Sequence, residues 1–297
     1  MNLLRLGPLA VGLSSVLMVL ACGGGDEGVK TAKDTLPGQP DMAMKEYDRA
    51  VRLAPNKAIA YYARGGAYGR LGQYQRAIQD FDESIRLDPN LALVFKNRGL
   101  AYSNLGQYHQ AIQDYDQAVR LDPNLALVFK NRGLAYSNLG QYHQAIQDYD
   151  QAIRLDSNLD GVFNNRGFAY LLLGNLPRAI QDFDEAIRLD QFYTIAYNNR
   201  GLAYLGLGNF VKAIQDYNQG IRMDPNNAIN YNNRGQAYAR LGQFEQAIQD
   251  YNQAIRLDPN YAIAYNNRGL AYSQLGQSSK PQLDKDKACL LDSKYCE

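Results

Sequence analysis

The apolar residues between positions 90 and 124 follow the spacing of paired amphipathic helices. Phe95, Gly99 and Tyr102 are spaced at i, i+4 and i+7, which places them on one face of a helix. Gly106 then suits a left-handed helix end. A second helical stripe with the same kind of spacing follows it: Tyr108, Ala111, Ile112, Tyr115, Ala118 and Val119. The pattern predicts a helix–turn–helix hairpin.

This hairpin recurs along the chain at a period of 34 residues. Residues 124–158 repeat residues 90–124 with only two substitutions. Such self-similarity is typical of solenoids, in which each repeat packs only against its neighbours. Degenerate repeats in the same frame occupy residues 41–57 and 262–297. The full repeats are 58–91, 92–125, 126–159, 160–193, 194–227 and 228–261. We therefore predict an all-α solenoid.

Residues at fixed positions of this frame resemble the tetratricopeptide repeat (TPR) family. With Ala92 as position 1, the repeat has an aromatic residue at 4, Gly at 8, Leu-Gly at 14 and 15, Tyr at 24 and Pro at 32. The matching residues of this repeat are Phe95, Gly99, Ala101, Tyr102, Leu105, Gly106, Tyr108, Ala111, Tyr115, Ala118 and Pro123. The resemblance implies a right-handed superhelix. In this family the first helix of each repeat, helix A, lines a concave groove for a protein or peptide partner.

Two positions depart together from the family pattern. Position 7, usually Leu, is Arg in seven repeats, and position 23, usually bulky, is Asp in the same seven. An Arg against a packed interface needs a partner, so we predict an ion pair between helix A and helix B of each repeat. The alternative is that both rows remain solvated. The predicted pairs are Arg64–Asp80, Arg98–Asp114, Arg132–Asp148, Arg166–Asp182, Arg200–Asp216, Arg234–Asp250 and Arg268–Asp284.

A second set of positions lies on the face of helix A that lines the groove in TPR proteins. An amide carries both donors and an acceptor, so a row of asparagines could bond the backbone of an extended peptide. Apolar neighbours such as Leu93 and Leu100 would then take its side chains. Equally, the amides could join adjacent helices, and the sequence leaves both interpretations open. The candidate groove residues are Lys96, Asn97, Lys130, Asn131, Asn164, Asn165, Asn198, Asn199, Asn232, Asn233, Asn266 and Asn267.

Composition and charge narrow the function classes. The formal net charge is +1, from 31 basic and 30 acidic residues, so nothing attracts a phosphate backbone and we expect no nucleic-acid partner. Most of the 23 tyrosines fall at positions 4, 11, 17 and 24, where we expect them in the core. His109 and His143 are copies of one surface position. Without a nucleophile motif, metal-ligand spacing or phosphate loop, we expect neither an enzyme nor a metal, cofactor or small-molecule substrate.

The beginning of the chain predicts export and a lipid anchor. Residues 1–21 combine Arg5 with an apolar run that is short for a membrane span, as in a secretory signal. Residues 19–22 resemble the lipobox of bacterial lipoproteins, which implies acylation at Cys22 and anchoring in the cell envelope. In a cell with two membranes, the family's rule favours the periplasmic side of the outer membrane. The alternative is an ordinary signal peptide with an incidental Cys. Residues 22–40 would be a flexible tether.

The remaining cysteines leave one question open. Cys289 and Cys296 are seven residues apart, which on a continuous helix is about 10 Å and too far for a disulfide. They can pair only if the helix ends near Asp292 and the chain turns back.

Together these features predict a lipid-anchored TPR scaffold that binds a protein or peptide without catalysis. The alternative is an assembly or targeting factor for an envelope machine such as a pilus, a secretion system or a cell-wall enzyme complex. A third class, a hydrolase or regulator, lacks support because no nucleophile–base constellation is found.

Overall fold

A computed structural model describes residues 39–159, 161–277 and 280–296. The predicted signal segment, Cys22 and nearly all of the tether therefore lie outside the described residues. Within the described residues there are helices and no strands, which confirms the predicted fold class. The helices are α1 (Gln39–Leu53), α2 (Ala58–Arg70), α3 (Tyr74–Leu87), α4 (Ala92–Asn104), α5 (Tyr108–Leu121), α6 (Ala126–Asn138), α7 (Tyr142–Leu155), α8 (Val162–Leu172), α9 (Leu176–Leu189), α10 (Thr194–Gly206), α11 (Phe210–Met223), α12 (Ala228–Arg240), α13 (Phe244–Leu257), α14 (Ala262–Gln274) and α15 (Lys280–Leu291).

Each A helix, which carries an even number from α2 to α14, ends at a glycine with left-handed backbone. After α4, Gly106 has a φ of 72°, which an L side chain tolerates poorly. The turn is closed by a bond from the N–H of Gln107 to the carbonyl of Tyr102 at 2.9 Å. This is the closure expected of a helix C-terminus that reverses direction, and it starts helix B at once.

Each repeat ends in a turn that an Asp side chain stabilises. After α5, Asp122 is extended, and its Oδ1 accepts a hydrogen bond from the N–H of Asn124 at 3.0 Å. The same bond joins Asp156 and Asn158 at 2.9 Å, although Ser157 stands there in place of the usual Pro. The Asp side chain therefore holds the turn between repeats even where the Pro is missing.

The centre of each full repeat is an aromatic ring on helix B packed against a glycine on helix A. Tyr115 is fully buried, and a Cβ added to Gly99 would lie only 2.8 Å from Cε1 of its ring. The glycine is thus required for the close approach of the two helices. By contrast, Tyr102 and Tyr108, at positions 11 and 17, are only half-buried. The expectation that the tyrosines form the core holds in full only at position 24.

The chain divides into two compact units, an N-terminal unit that ends at Asn165 and a C-terminal unit that begins at Arg166. In the N-terminal unit α2, α4 and α6 touch in succession, and α3 and α5 each pack against the A helices on both sides. In the C-terminal unit α10, α12 and α14 touch in the same way. Within each unit, equivalent positions of successive A helices therefore lie side by side.

The end of the chain answers the question about its cysteines. Helix α15 ends at Leu291, and Asp292 caps a short 3-10 helix, Ser293–Tyr295. This reversal brings the Cα atoms of Cys289 and Cys296 to 4.4 Å, and the two residues form a disulfide. The two cysteines can pair because α15 ends at Leu291 and the chain then turns back.

Candidate functional site

The candidate site is the face of the A helices at positions 2, 5, 6, 9, 12 and 13, which we call the A-helix face. In the N-terminal unit it presents apolar side chains to solvent. Leu93 and Leu100 of α4 and Leu127 of α6 are 42–46% exposed, and Ile59 of α2 is more exposed still. Ile59, Leu93 and Leu127 occupy the same position of successive A helices, so these exposed apolar residues recur as a group, which is more informative than scattered single residues.

Polar residues of the same face lie among these leucines. Lys96 and Asn97 on α4 are half-buried, and the Asn97 Nδ2 donates to the Tyr62 hydroxyl of α2 at 3.2 Å. Burial lowers the pKa of Lys96, because the surrounding protein disfavours its charged form. Lys130, the equivalent residue of α6, is only 8% exposed, whereas Asn131 is half-buried. In this unit Lys96 is therefore the more accessible of the two lysines.

Amides of the C-terminal unit bond to one another across adjacent A helices. The Asn233 Nδ2 donates to the Asn198 Oδ1 at 3.1 Å, and the Asn267 Nδ2 donates to the Asn232 Oδ1 at 3.0 Å. The Asn232 Nδ2 in turn donates to the Asn233 Oδ1 at 3.2 Å. These bonds correspond to the second interpretation of the asparagine row, in which the amides join neighbouring helices.

Burial divides the candidate groove residues into two groups. Those with 0–8% exposure are Lys130, Asn164, Asn165, Asn199, Asn232 and Asn233. A peptide backbone cannot reach side chains covered to this degree in the present arrangement. Half-buried and closer to solvent are Lys96, Asn97, Asn131, Asn198, Asn266 and Asn267. The accessible polar groups are thus Lys96, Asn97 and Asn131 in the N-terminal unit and Asn198, Asn266 and Asn267 in the C-terminal unit.

The arginines of position 7 lie on the A helices and pair with carboxylates of the B helices. The Arg132 Nε and Nη2 donate to the two carboxylate oxygens of Asp148 at 2.8 and 2.6 Å, a bidentate geometry that favours a fixed orientation. The Arg132 guanidinium also lies 5.4 Å from the centre of the Phe129 ring. The same pairing joins Arg64–Asp80, Arg98–Asp114, Arg166–Asp182, Arg200–Asp216, Arg234–Asp250 and Arg268–Asp284.

Six of these guanidinium groups also bond to the preceding repeat, a contact that the sequence pattern at positions 7 and 23 did not predict. The Arg132 Nη1 donates to the Asp116 Oδ1 at 2.6 Å, so one side chain joins three helices. Position 25 supplies this acceptor, and it is Asp or Asn in every repeat, which was a usable signal. The bonds found are Arg64–Asp48, Arg98–Asp82, Arg132–Asp116, Arg200–Asp184, Arg234–Asn218 and Arg268–Asn252.

Electrostatics agree with a structural role for these pairs. Burial raises the pKa of Asp148, and the bonds from Arg132 only partly offset this effect. Burial also acts to lower the pKa of Arg132, but the bonds to Asp148 and Asp116 outweigh it, so the guanidinium stays charged. Because desolvation cancels much of the attraction, the pairs fix the relative placement of helices more than they add net stability.

Other chemistries find no support in the described ranges. In them, no group of three or more His, Cys, Asp or Glu could hold a metal ion. His109 and His143 are both exposed on helix B. Across the same described part of the chain, no helix combines the length and the apolar character that crossing a membrane requires.

Comparison with known families decides the classification. Models described as tetratricopeptide repeat match four of the predicted repeats and one further segment that overlaps two neighbouring repeats. The chain belongs to the tetratricopeptide repeat family. The matched residues are 58–91, 92–125, 126–159, 194–227 and 216–249, and a second description, TPR repeat, covers 169–208 and 235–276. A comparison with curated proteins finds no match.

Solved structures similar to this TPR chain include proteins of several kinds. The APC/C hetero-tetramer Cut9-Hcn1 matches 79% of this chain at 22% identity and a TM-score of 0.65, and the chain covers 46% of that structure's length. A TPR protein from Parabacteroides merdae matches 84% of the chain at 20% identity and a TM-score of 0.64, with 94% of its own length covered. YrrB, described as a TPR protein with an unusual peptide-binding site, matches 62% at 23% identity and a TM-score of 0.54, with 95% of its length covered. These likenesses establish the fold.

Proposed function

We propose that this TPR protein is a non-catalytic scaffold that binds an extended segment of a partner protein along its A-helix face. The observation that carries the proposal is the surface of exposed leucines on α4 and α6. Leu93, Leu100 and Leu127 lie on adjacent helices of one compact unit and remain open to solvent. The peptide-binding site for which the similar YrrB structure is named adds support from the family.

In this proposal the leucines supply affinity and the amides supply alignment. Burying a fully exposed leucine stabilises a complex by roughly 1.5–3 kcal/mol, so a half-exposed leucine contributes about 1 kcal/mol. Asn97 and Asn131 are near enough to solvent to bond a peptide backbone. Asn232 and Asn233 have a different role, since their bonds join adjacent A helices of the C-terminal unit.

The placement of the partner can be tested by photo-crosslinking. A photoreactive amino acid is introduced into the full-length chain at Leu100 or, as the matched control, at Gln110, which is exposed on helix B of the same repeat. We expect crosslinks to one partner protein at Leu100 and none at Gln110, with the partner site mapped by mass spectrometry to a single segment. Crosslinks to that partner at Gln110 alone would show that it uses the opposite helices.

We also propose that the protein is exported and anchored by lipid at Cys22. The lipobox-like residues 19–22 support the anchor, and the Cys289–Cys296 disulfide supports export, since disulfides persist in oxidising compartments. Growth with a labelled fatty acid should label the natural chain and the Cys289→Ser control. The Cys22→Ala variant should take up no label, and label retained in it would refute the anchor.

A further inference from the structure

Charge is segregated between the two helices of the repeats in the N-terminal unit. Helices α2, α4 and α6 contain no Asp or Glu, while α3, α5 and α7 carry the carboxylates. The arginines of position 7 are neutralised by those carboxylates at 2.6–2.7 Å. The cations of these helices that lie on the A-helix face and reach solvent are Arg70, which is exposed, and Lys96, which is half-buried. This face therefore carries positive charge with no acid of its own.

Lys96 is the cation placed among the exposed apolar side chains. It lies between Leu93 and Leu100 at i, i+3 and i+7, so the three side chains share one stripe of α4. No ion pair to Lys96 occurs among the residues that the structure describes, and desolvation alone lowers its pKa. A half-buried ammonium without an acidic neighbour is stabilised by any carboxylate that a partner brings.

The neighbouring helix leaves room for a partner at this point. Gly66 and Gly69 occupy positions 9 and 12 of α2, where α4 has Leu100 and Ser103. A Cβ at Gly69 would meet no atom within 4 Å, and one at Gly66 would meet only the Arg70 side chain at 3.8 Å. These glycines are not needed for packing between helices, so α2 leaves the surface open at the positions that match Leu100 and Ser103 of α4.

We propose that the N-terminal unit selects an extended acidic–apolar peptide segment, whose carboxylate pairs with Lys96 and whose apolar side chains pack on Leu93 and Leu127. The inference rests on the proposed function and adds the class of partner to it. Neighbouring helices pack about 8–10 Å apart and an extended peptide advances about 3.3 Å per residue. Apolar residues about two to four positions apart can therefore reach both leucines.

Three fluorescent twelve-residue peptides test the proposal against the full-length chain. One peptide repeats Leu-Ser-Glu-Ser, one Leu-Ser-Lys-Ser and one Leu-Ser-Ser-Ser, so that leucine and the varied residue share one face of the extended chain, and binding is followed by fluorescence anisotropy. The acidic peptide should bind about tenfold more tightly than the serine peptide, and the lysine peptide most weakly. Raising the salt concentration should reduce the difference, because part of it is a screened charge interaction.

Variants of Lys96 test whether this side chain causes the preference for the acidic peptide. Lys96→Glu should weaken binding of the acidic peptide by about tenfold and strengthen binding of the lysine peptide. Lys96→Gln, which keeps a polar side chain of similar size, should weaken the acidic peptide by a smaller factor. The matched control is Lys45→Glu, the same charge change on exposed Lys45 of α1, and it should leave all three affinities unchanged. Circular dichroism of each variant checks that its helix content is natural.

The outcomes separate this inference from the function on which it rests. Equal binding of the three peptides, with crosslinking to a partner at Leu100, would keep the scaffold and overturn the acidic preference. Preferred binding of the acidic peptide that Lys96→Glu does not alter would overturn the assignment to Lys96. No binding of any peptide would overturn the inference, while crosslinking of a partner would still test the scaffold independently.

Discussion

Removing the guanidinium of Arg132 should destabilise the chain far more than removing an ordinary surface arginine. Arg132 makes two bonds to Asp148 and one to Asp116, and the side chains of Arg132 and Asp148 are 17% and 8% exposed. Arg132→Ala leaves the carboxylate of Asp148 buried without its partner, a change that costs about 3–5 kcal/mol when the pair is fully buried. The partial exposure of Arg132 and the open position of Asp116 reduce this, and we expect about 3 kcal/mol.

Urea unfolding followed by far-ultraviolet circular dichroism measures this cost, with the shift in midpoint used for comparison because repeat arrays need not unfold in two states. Arg154→Ala is the matched control, since Arg154 is exposed on α7 and, among the described residues, its guanidinium bonds to Gln151 alone. Its effect should stay within about 0.5 kcal/mol. Arg132→Ala combined with Asp148→Ala should cost less than the sum of the single changes, because no orphaned charge remains. A midpoint for Arg132→Ala equal to that of the control would refute the reasoning.

Two further predictions concern buried polar groups of the C-terminal unit. Tyr217→Phe should stabilise the chain by about 1 kcal/mol in the same urea assay, because the Tyr217 hydroxyl is buried without a hydrogen-bond partner. The matched Tyr115→Phe should bring no such gain, since the Tyr115 hydroxyl lies 3.2 Å from the Ser103 Oγ, and equal gains would contradict this account. Gly220→Ala should destabilise by about 1–3 kcal/mol, because its Cβ would lie 2.9 Å from the Asn230 Nδ2. Adding Asn230→Ala should restore the natural melting temperature or exceed it, and a double variant no more stable than Gly220→Ala would show that the two residues do not compete for space.

The period and the hairpin could be predicted because they depend on local spacing. Apolar residues at i, i+3 and i+4, together with a glycine at each helix end, determine where the helices begin and end. The joint departure at positions 7 and 23 also identified two residues that meet, because an Arg at a packed position has few alternatives to a carboxylate. The pair between Arg132 and Asp148 is an example in which a sequence pattern led to an atomic contact.

The burial of the asparagines could not be predicted in the same way. Helical spacing gives the face on which Asn199 or Asn233 lies, but not the distance between neighbouring A helices. The close approach of those helices covers both side chains and brings the Asn233 amide within bonding distance of Asn198. The tyrosines show the same limit, since Tyr115 at position 24 is fully buried whereas Tyr102 and Tyr108 are half-buried.

The close contact between Asn230 and Gly220 could have been predicted from the sequence. Position 3 is Ala or Val in the other full repeats, and position 27 of the preceding repeat is Gly220 where most repeats have Ala. The larger polar residue and the smaller glycine occur at one interface and compensate in volume, as the 2.9 Å approach to the Asn230 amide shows. Comparing equivalent positions across the repeats would have identified this pair.

The central claim, that the exposed leucines of the A-helix face bind the partner, is tested most directly by affinity. Isothermal titration calorimetry uses the partner segment that crosslinking identifies, and it compares the natural chain with the double variant Leu93→Ser and Leu127→Ser. The control is Leu290→Ser, which makes the same change at an exposed leucine of α15. Losing about 1 kcal/mol at each of two leucines predicts a Kd about thirtyfold higher for the double variant, with helix content and the control affinity unchanged. A natural Kd in the folded double variant would contradict the claim.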